Sequence, residues 1–407
     1  MWIRKRLDIA WSDLAAGILG CCRVPVRTTL ERRVEQRWTS QALVCLSVRS
    51  GLDLLLGTLH WPAGSEVLIS ALTIPDVPRI IQHHGLVPVP VDLDAATLGP
   101  NLLSLRQAIT RSSRAILVAH LMGGRLDMGP ILQLARERGL LVIEDCAQAF
   151  DGTDYRGHPE ADVSMFSFGT IKTATALGGA CLKVRDATLL QEMQTRQAGY
   201  PVQRRAAFLW RLLKYAVLKG LSARLACALL VRLANLLGRD YDQAINRLAR
   251  GFAGDDFFGR IRQQPSAPLL ILLERRLRTY DANRVRRRAV LGRLLESRLA
   301  ERCVCPGAAM QPHNFWVFPV LVDNPQAAIA ALRDAGFDAT QGHSMCVVQP
   351  PADRPELAAQ TAQEILARTV YLPLYPELPE SALLKLSDML SGITTETQTR
   401  GFRGYRS

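Results

Sequence analysis

The chain has 407 residues, 48% of them hydrophobic and 21% charged. This composition excludes general disorder, and the length suffices for a large folded domain together with a smaller one. The formal net charge of +13 favours anionic partners such as nucleotides or an acidic membrane surface. No nucleic-acid-binding motif accompanies this charge, so we predict no nucleic-acid partner.

Residues 1–40 are predicted to form an N-terminal arm. Their basic start and the apolar run up to Cys22 resemble a lipoprotein leader superficially. Asp8 and Asp13 interrupt the apolar region, which a leader needs to be uncharged. We therefore interpret this stretch as an amphipathic helix that lies on the body of the protein.

The nine cysteines are scattered along the chain. The close pairs, Cys21-Cys22 and Cys303-x-Cys305, lack the C-x-x-C spacing of a zinc site. We therefore predict reduced thiols, a cytoplasmic location and no metal site.

Strand-like and helical patterns alternate between residues 41 and 200. The apolar runs VLISAL, LVPVPVDL, AILVAHL, LVIED and ACLKV are typical of buried strands, and stretches such as 128–138 are typical of helices. Strands separated by helices indicate parallel βαβ units. The sequence thus predicts a large α/β domain over residues 41–200, with a mostly parallel central sheet.

Residues 201–260 differ in character and are predicted to form a basic amphipathic helical insertion. The stretch 204–239 contains eight Arg or Lys residues and no Asp or Glu, and Gly220 is expected to divide it into two helices. Its uncharged runs are shorter than the roughly 20 residues that span a bilayer. Arg224, Arg232 and Arg239 share one sector of the second helix, which is typical of a helix lying on an anionic membrane. The alternative is a helical hairpin packed on its own domain or across a dimer.

The rest of the chain is predicted to form two further units. Residues 261–300 carry an arginine-rich helical pattern and are interpreted as connecting helices. Residues 301–407 contain the strand-like runs HNFWVFPVLV and RTVYLPLYP, separated by a helix ending at Gly336. We expect a small α+β domain here.

Two short motifs carry chemistry. A buried-looking strand ends in Glu144-Asp145, and ligands of parallel sheets bind beyond the carboxyl ends of strands. Further along, Ser167 and Lys172 precede Gly178-Gly179 in a stretch of small and apolar residues. A lysine that forms a Schiff base with an aldehyde cofactor, and an acid that keeps a pyridine nitrogen protonated, are the minimal machinery of pyridoxal phosphate chemistry.

The sequence resembles the DegT–DnrJ–StrS family of pyridoxal phosphate-dependent sugar aminotransferases. The resemblance covers roughly residues 40–186 and continues more loosely to the C-terminus. The stretches that carry it are AGSEVLISALT, VPVDLD, AILVAHLMGG, GLLVIEDCAQAF, DVSMFSFGTIK and LGGACL. It implies the fold-type-I architecture, a large domain with a mostly parallel sheet and a small α+β C-terminal domain.

The resemblance also assigns roles to individual residues. Lys172 matches the Schiff-base lysine, and Asp145 matches the partner of the pyridine nitrogen. Gln148 matches a residue placed against the cofactor ring or its hydroxyl. Ser167 matches a phosphate ligand. In the family's dehydratase branch a histidine replaces the lysine, so the lysine here favours amino transfer.

Further cofactor contacts are implied by two other segments. SVRSGLDLL stands where the family has a phosphate-binding loop that opens a helix, so Ser47, Arg49 and Ser50 are candidate phosphate ligands. Val48 replaces the glycine expected there. The family sends residues from the neighbouring subunit into each site, and GRIRQQPS places Arg262 at the arginine position of that segment. This implies a homodimer.

The implied reaction moves an amino group from glutamate to a nucleotide-linked keto sugar. Polysaccharide, glycolipid or related biosynthesis would use the product, and the basic segment 204–239 suggests peripheral contact with the inner membrane surface. Val48, Ile74 and Arg260 depart from the family pattern, so a non-catalytic relative with the same fold is an alternative. A pyridoxal phosphate enzyme acting on another amino acid is a second alternative.

Overall fold

The computed structural model describes residues 2, 6–23, 25–221, 256–300, 302–342 and 344–395. Its central feature is a seven-stranded sheet in the order β1-β8-β7-β6-β5-β2-β4. The five strands from β7 to β4 are mutually parallel, whereas β8 runs antiparallel to both of its neighbours. The strands are β1 (Ala42–Cys45), β2 (Glu66–Ser70), β4 (Val87–Val91), β5 (Ser113–Ala119), β6 (Leu141–Asp145), β7 (Val163–Ser167) and β8 (Ala180–Val184).

Helices cover both faces of this sheet. Those of the N-terminal half are α1 (Trp11–Cys22), α2 (Arg27–Trp38), α3 (Val48–Leu59), α4 (Asp76–His83), α5 (Leu102–Ala108), α6 (Gly129–Arg138), α7 (Ala187–Ala198) and α8 (Arg205–Leu221). Further helices in the described part of the chain are α9 (Phe257–Ile261), α10 (Ala267–Thr279), α11 (Asn283–Leu299), α12 (Pro325–Asp334), α13 (Gln360–Arg368) and α14 (Glu380–Thr395), with a 3-10 turn at Pro355–Leu357.

The alternation of side chains along each strand explains the layering. In β5, Leu117 packs into the core beneath α3, α4 and α7, whereas Ile116 and Val118 pack beneath α5 and α6. Because successive side chains of a strand point to opposite faces, a strand covered on both sides is a continuous apolar run. The layering also brings the carboxyl end of β6 to an edge of the sheet that faces a large cavity.

The C-terminal unit has a separate core. Strands β9 (Phe318–Leu321) and β11 (Thr369–Leu372) form an antiparallel pair covered by α12 and α14. A second pair joins β3 (Leu72–Thr73) of the large domain to β10 (Cys346–Val347). The two parts of the chain are therefore joined by strand pairing as well as by α11.

The N-terminal arm is held by ion pairs that are distant in sequence. Asp13 of α1 is buried and accepts hydrogen bonds from Arg275 and Arg276 of α10. Arg276 also donates to the backbone carbonyls of Asp8 and Thr175. These contacts hold the N-terminal arm against the loop that carries Lys172.

Asp13→Ala is expected to lower the free energy of unfolding by about 3 kcal/mol. The guanidinium of Arg276, a residue that is 6% exposed, loses its carboxylate partner. Removing one member of a buried ion pair is strongly destabilising, because the other charge stays buried without compensation. Urea denaturation measures the loss. The matched control is Glu160→Ala, whose pair with Arg136 is exposed and worth no more than about 1 kcal/mol. Equal losses in the two variants would contradict this account.

The basic segment 204–239 is described only in its first half. Helix α8 buries Phe208, Leu212 and Tyr215 in the same core as α1 and α10, so this half packs on its own domain. Arg224, Arg232 and Arg239 lie outside the described residues. In the part of the chain that is described, no helix combines the length and the apolar character needed to cross a membrane.

Candidate functional site

A cavity of about 1590 Å³ lies at the carboxyl edge of the sheet. Its walls come from the end of β6, the start of α3, the loop between β7 and β8, and helices α8, α10 and α11. Eleven Lys or Arg side chains line it, against six Asp or Glu. An anionic ligand is therefore favoured electrostatically.

Lys172 lies in the loop between the antiparallel strands β7 and β8. Its backbone N–H donates to the carbonyl of Gly169 at 3.0 Å, and Ala174 takes a left-handed conformation with φ of 55°. The amine lies 4.2 Å from the centre of the Trp316 ring. Burial lowers the pKa of Lys172 to about 8; Asp145 opposes the shift and Arg49 adds to it. Half of the amines are thus neutral near pH 8, well below the pH at which an ordinary lysine loses its charge.

Covalent labelling of Lys172 in the cofactor-free protein is expected to be half-maximal near pH 8. Only the neutral amine reacts, and an ordinary lysine stays charged to about pH 10.4. Trace labelling with acetic anhydride, read out by mass spectrometry across pH, measures the midpoint. Lys385, which lies on α14 away from the cavity, is the internal reference. A Lys172 midpoint above about pH 10 would contradict the environment described here.

Asp145 ends β6 and lines the same cavity. One carboxylate oxygen accepts the N–H of Ala147 at 2.9 Å. Burial raises the pKa of Asp145, and the charges of Lys172, His120 and Arg49 act in the opposite direction. A carboxylate presented at a strand end, with one oxygen held by the backbone, is suited to receive a hydrogen bond from a cationic ring nitrogen.

The neighbouring acid, Glu144, has a different environment. Its carboxylate accepts hydrogen bonds from His120 at 2.7 Å, from Ser164 at 2.7 Å, and from Tyr155. Burial alone would raise its pKa, but these donors bring the pKa of Glu144 to about 2. The other ring nitrogen of His120 accepts the N–H of Leu126. His120, Glu144 and Cys146 are close enough to bind one metal ion together. Both ring nitrogens of His120 already make hydrogen bonds, however, so we assign these three residues a structural role.

The start of α3 presents the predicted phosphate-binding segment. Ser47 is the N-cap residue, and its hydroxyl accepts the N–H of Ser50 at 3.1 Å. Ser47, Val48 and Arg49 line the cavity. Ser50 is buried, lies 2.9 Å from the Ser47 hydroxyl, and is not among the cavity-lining residues of the described chain.

Val48 and Arg49 occupy this segment differently from the family pattern. Val48 is the first residue of α3, a position where a side chain is tolerated because the backbone is helical. The guanidinium of Arg49 is ion-paired with Asp76 of α4. Within this chain, the cation proposed from the sequence therefore has a carboxylate partner at the cavity wall.

Three other residues singled out in the sequence line the cavity. The side-chain oxygen of Gln148 accepts the N–H of Met122 at 2.8 Å, which leaves its amide NH₂ group as the donor. The Ser167 hydroxyl accepts the N–H of Gly169 at 3.3 Å. Ile74, one of the departures from the family pattern, is an apolar part of the wall.

Arg262 lies apart from this cavity. It donates to both carboxylate oxygens of Asp53 in α3, each at 2.9 Å. Asp53 also pairs with His84 at 3.0 Å. Within this chain Arg262 thus links the end of α9 to α3, and through Asp53 to His84 at the end of α4. Its predicted contact with the cofactor site of a second subunit remains a prediction.

Several residues that the sequence did not single out support the Lys172 loop. Arg288 of α11 is buried and donates to Thr173, next to the lysine, and to the carbonyl of Asn314 at 2.7 Å. The Asn314 side chain donates to the carbonyl of Gln148 at 3.0 Å. Asp8 accepts the N–H of Ala174 at 2.9 Å.

Lys172 and Asp145 thus lie in one cavity, rich in basic side chains, at the carboxyl edge of a mostly parallel sheet. The model of the DegT/DnrJ/EryC1/StrS aminotransferase family matches residues 28–267. The chain belongs to this family. The resemblance identified in the sequence is thereby confirmed.

Individual proteins extend the comparison. GDP-perosamine synthase of Escherichia coli O157:H7 is 36% identical over 38% of this chain, and UDP-4-amino-4-deoxy-L-arabinose–oxoglutarate aminotransferase of Shewanella sediminis is 32% identical over 40%. Each match spans 43% of the relative's length. The structure of NtdA from Bacillus subtilis, with bound cofactor PMP, matches 95% of this chain and 83% of its own with a TM-score of 0.68 at 16% identity. This likeness confirms the predicted fold class.

Proposed function

We propose that the protein is a pyridoxal phosphate-dependent aminotransferase that passes an amino group from glutamate to a nucleotide-linked keto sugar. The observation that carries the proposal is the meeting of Lys172 and Asp145 in one cavity. The amine has a pKa of about 8, close to that of an efficient acid–base catalyst at neutral pH. Membership of an aminotransferase family supports the reaction class.

The donor set of the cavity fits pyridoxal phosphate. Lys172 supplies a primary amine for the aldehyde, and Asp145 supplies an anion for the ring nitrogen. The N-terminus of α3 and the hydroxyls of Ser47 and Ser167 line the same cavity, and helix N-termini favour phosphate. Ile74 supplies an apolar surface for a ring. The departures at Val48 and Ile74 are thus compatible with the cofactor.

When bound, the cofactor supplies an electron sink for the carbanion formed at the donor Cα. Lys172 is assigned as the general base that takes the proton from this Cα, and as the general acid that returns a proton later in the amino transfer. Burial favours the neutral form of this amine. Asp145 is assigned to hold a proton on the ring nitrogen of the cofactor. The amide NH₂ group of Gln148 is assigned to donate a hydrogen bond to the cofactor.

The substrates are proposed from charge and from the names of relatives. One relative is named as an aminotransferase that uses oxoglutarate, the keto acid of glutamate, and both relatives are named for nucleotide sugars. The excess of basic side chains in the cavity suits the diphosphate of such a sugar. We place the product in polysaccharide, glycolipid or related biosynthesis.

The assembly and the location are part of the proposal. We propose a homodimer, since a cavity of about 1590 Å³ exceeds the ~300–1,000 Å³ of typical ligand pockets and a second subunit would narrow it. Arg262 is assigned to the neighbouring site in that dimer. We propose a cytoplasmic location, in keeping with free cysteines, and peripheral contact with the inner membrane through 204–239.

The visible absorption spectrum of the purified protein tests this function. The protein is mixed with pyridoxal phosphate, and spectra are recorded before and after excess glutamate. We expect a band that changes with glutamate, with one equivalent of oxoglutarate released, and that returns when a nucleotide-linked keto sugar is added. A spectrum that glutamate leaves unchanged would favour the non-catalytic alternative. A response to a different amino acid alone would favour the second alternative.

A further inference from the structure

Helices α1 and α8 lie side by side on α10. A Cβ at Gly17 of α1 would stand 2.8 Å from Leu212 of α8 and 3.4 Å from Leu272 of α10. Gly20 of α1 faces Ile271 of α10 in the same way. Both helices therefore bury their inner sides against α10, and their other sides are exposed, partly along the cavity wall.

The outer sides of both helices are apolar. We name these residues the α1–α8 face: Trp11, Ser12, Ala15, Leu19 and Cys22 of α1, with Ala206, Ala207, Trp210, Leu213, Val217 and Gly220 of α8. None of these exposed residues is charged. Trp210 is 71% exposed, Val217 62%, Leu19 61% and Trp11 56%. Among the described residues, five of the twelve exposed large hydrophobic side chains belong to this face, and such clustering is typical of an interaction site.

Three basic residues of α8 lie beside this face, and the acids Asp8 and Glu377 lie close enough to Lys219 for their charges to act on it. Arg205, Lys214 and Lys219 lie along α8, whose sequence contains no acid. The amine of Lys219 is 5.8 Å from the centre of the Trp11 ring. Asp13, the acid of α1, is buried and paired with α10. An apolar surface edged by lysines and carrying tryptophans is typical of a helix pair lying in an anionic lipid interface.

This face adjoins the cavity. Trp11, Trp210, Lys214 and Lys219 line the cavity that contains Lys172. A surface that covers the α1–α8 face would therefore lie close to the cavity. Two copies of the face placed against each other would bring their lysines together, which disfavours a second copy of the chain as the occupant.

We propose that the α1–α8 face docks on an anionic lipid bilayer, with Trp11 and Trp210 at the headgroup level. The proposal rests on the cytoplasmic location proposed above and is independent of the chemistry in the cavity. It adds α1 to the membrane contact and assigns the contact to particular exposed side chains.

Vesicle co-sedimentation of the full chain tests the proposal. We expect the protein to bind vesicles containing phosphatidylglycerol more tightly than vesicles of phosphatidylcholine alone. The variant Leu213→Glu/Val217→Glu, whose positions do not line the cavity, is expected to bind at least about tenfold more weakly. The matched control is Leu103→Glu on α5, where a side chain 66% exposed is changed away from the face; its binding is expected to equal that of the unaltered protein.

Fluorescence with brominated acyl chains locates the contact. These chains are expected to quench tryptophan emission, and Trp210→Phe is expected to reduce the quenched fraction. Unaltered binding in the double glutamate variant, or no binding by the original protein, would overturn the proposal. So would a change of the double variant from dimer to monomer in gel filtration, since that places a second copy on the face. Binding is measured without cofactor, so its failure is separate from failure of the glutamate reaction.

Discussion

Lys172→Ala is expected to slow amino transfer from glutamate by about 10⁴-fold, because it removes the amine that takes and returns the proton at the donor Cα. The visible band that pyridoxal phosphate gains on binding is expected to disappear as well, since no amine remains for the aldehyde. Stopped-flow absorbance with glutamate measures the first effect, and a static spectrum measures the second. Added methylamine is expected to restore part of the rate, because a small free amine can take the place of the missing side chain.

The matched control for this substitution is Lys183→Ala. Lys183 lies on β8, in the strand that follows the Lys172 loop, and its amine donates to the carbonyl of His158. It is not among the residues of the described chain that line the cavity. We expect its rate to match that of the original protein. Turnover retained by Lys172→Ala, in a protein with unchanged circular dichroism, would refute the assigned role.

Asp145→Asn is expected to lower the same rate by about 10³-fold. An amide cannot hold a proton on the ring nitrogen as a carboxylate does, so the electron sink is weakened. A second measurement tests the interaction between Asp145 and Lys172 directly. The charge of Asp145 raises the pKa of Lys172, so its removal is expected to move the labelling midpoint of the lysine below about pH 8.

Asp186→Asn is the control for the carboxylate. Asp186 caps α7 by accepting the N–H of Leu189 at 2.7 Å, and asparagine is an equally good cap. Both the rate and the labelling midpoint of Lys172 are expected to be unchanged. If Asp145→Asn slows the reaction without moving the midpoint, the two side chains do not interact across the cavity as described.

The sequence was sufficient to predict the sheet, and the two residues that it marked most strongly, Lys172 and Asp145, both line the cavity; their roles in catalysis remain predictions. Strands buried on both faces are continuous apolar runs, so β2, β5 and β6 are visible without tertiary information. Asp145 follows such a run directly, and Lys172 stands within a short loop of small residues. Each member of the pair is thus marked by its immediate neighbours in the chain.

Contacts between distant segments were not visible in the sequence. Arg49 is paired with Asp76 of the next helix, and spacing alone does not specify that partner. Ser47 and Ser50 are three residues apart at the start of α3, and only packing decides that Ser47, and not Ser50, lines the cavity. The predicted contact of Arg262 with a neighbouring site remains a prediction, and its pairing with Asp53 within the chain was not anticipated.

The long sequence separation of the contacts that hold the N-terminal arm has a consequence for biosynthesis. Asp13 meets partners that lie 262 and 263 positions later in the chain, and Asp8 holds the backbone beside Lys172 from 166 positions away. At about 5–20 residues per second, a ribosome needs roughly 13–50 s to deliver the arginines after the arm has been made. Until then α1 has no support, and its buried acid has no counter-ion. The strands of the sheet, which end at residue 184, therefore leave the ribosome before the arginines that support the Lys172 loop.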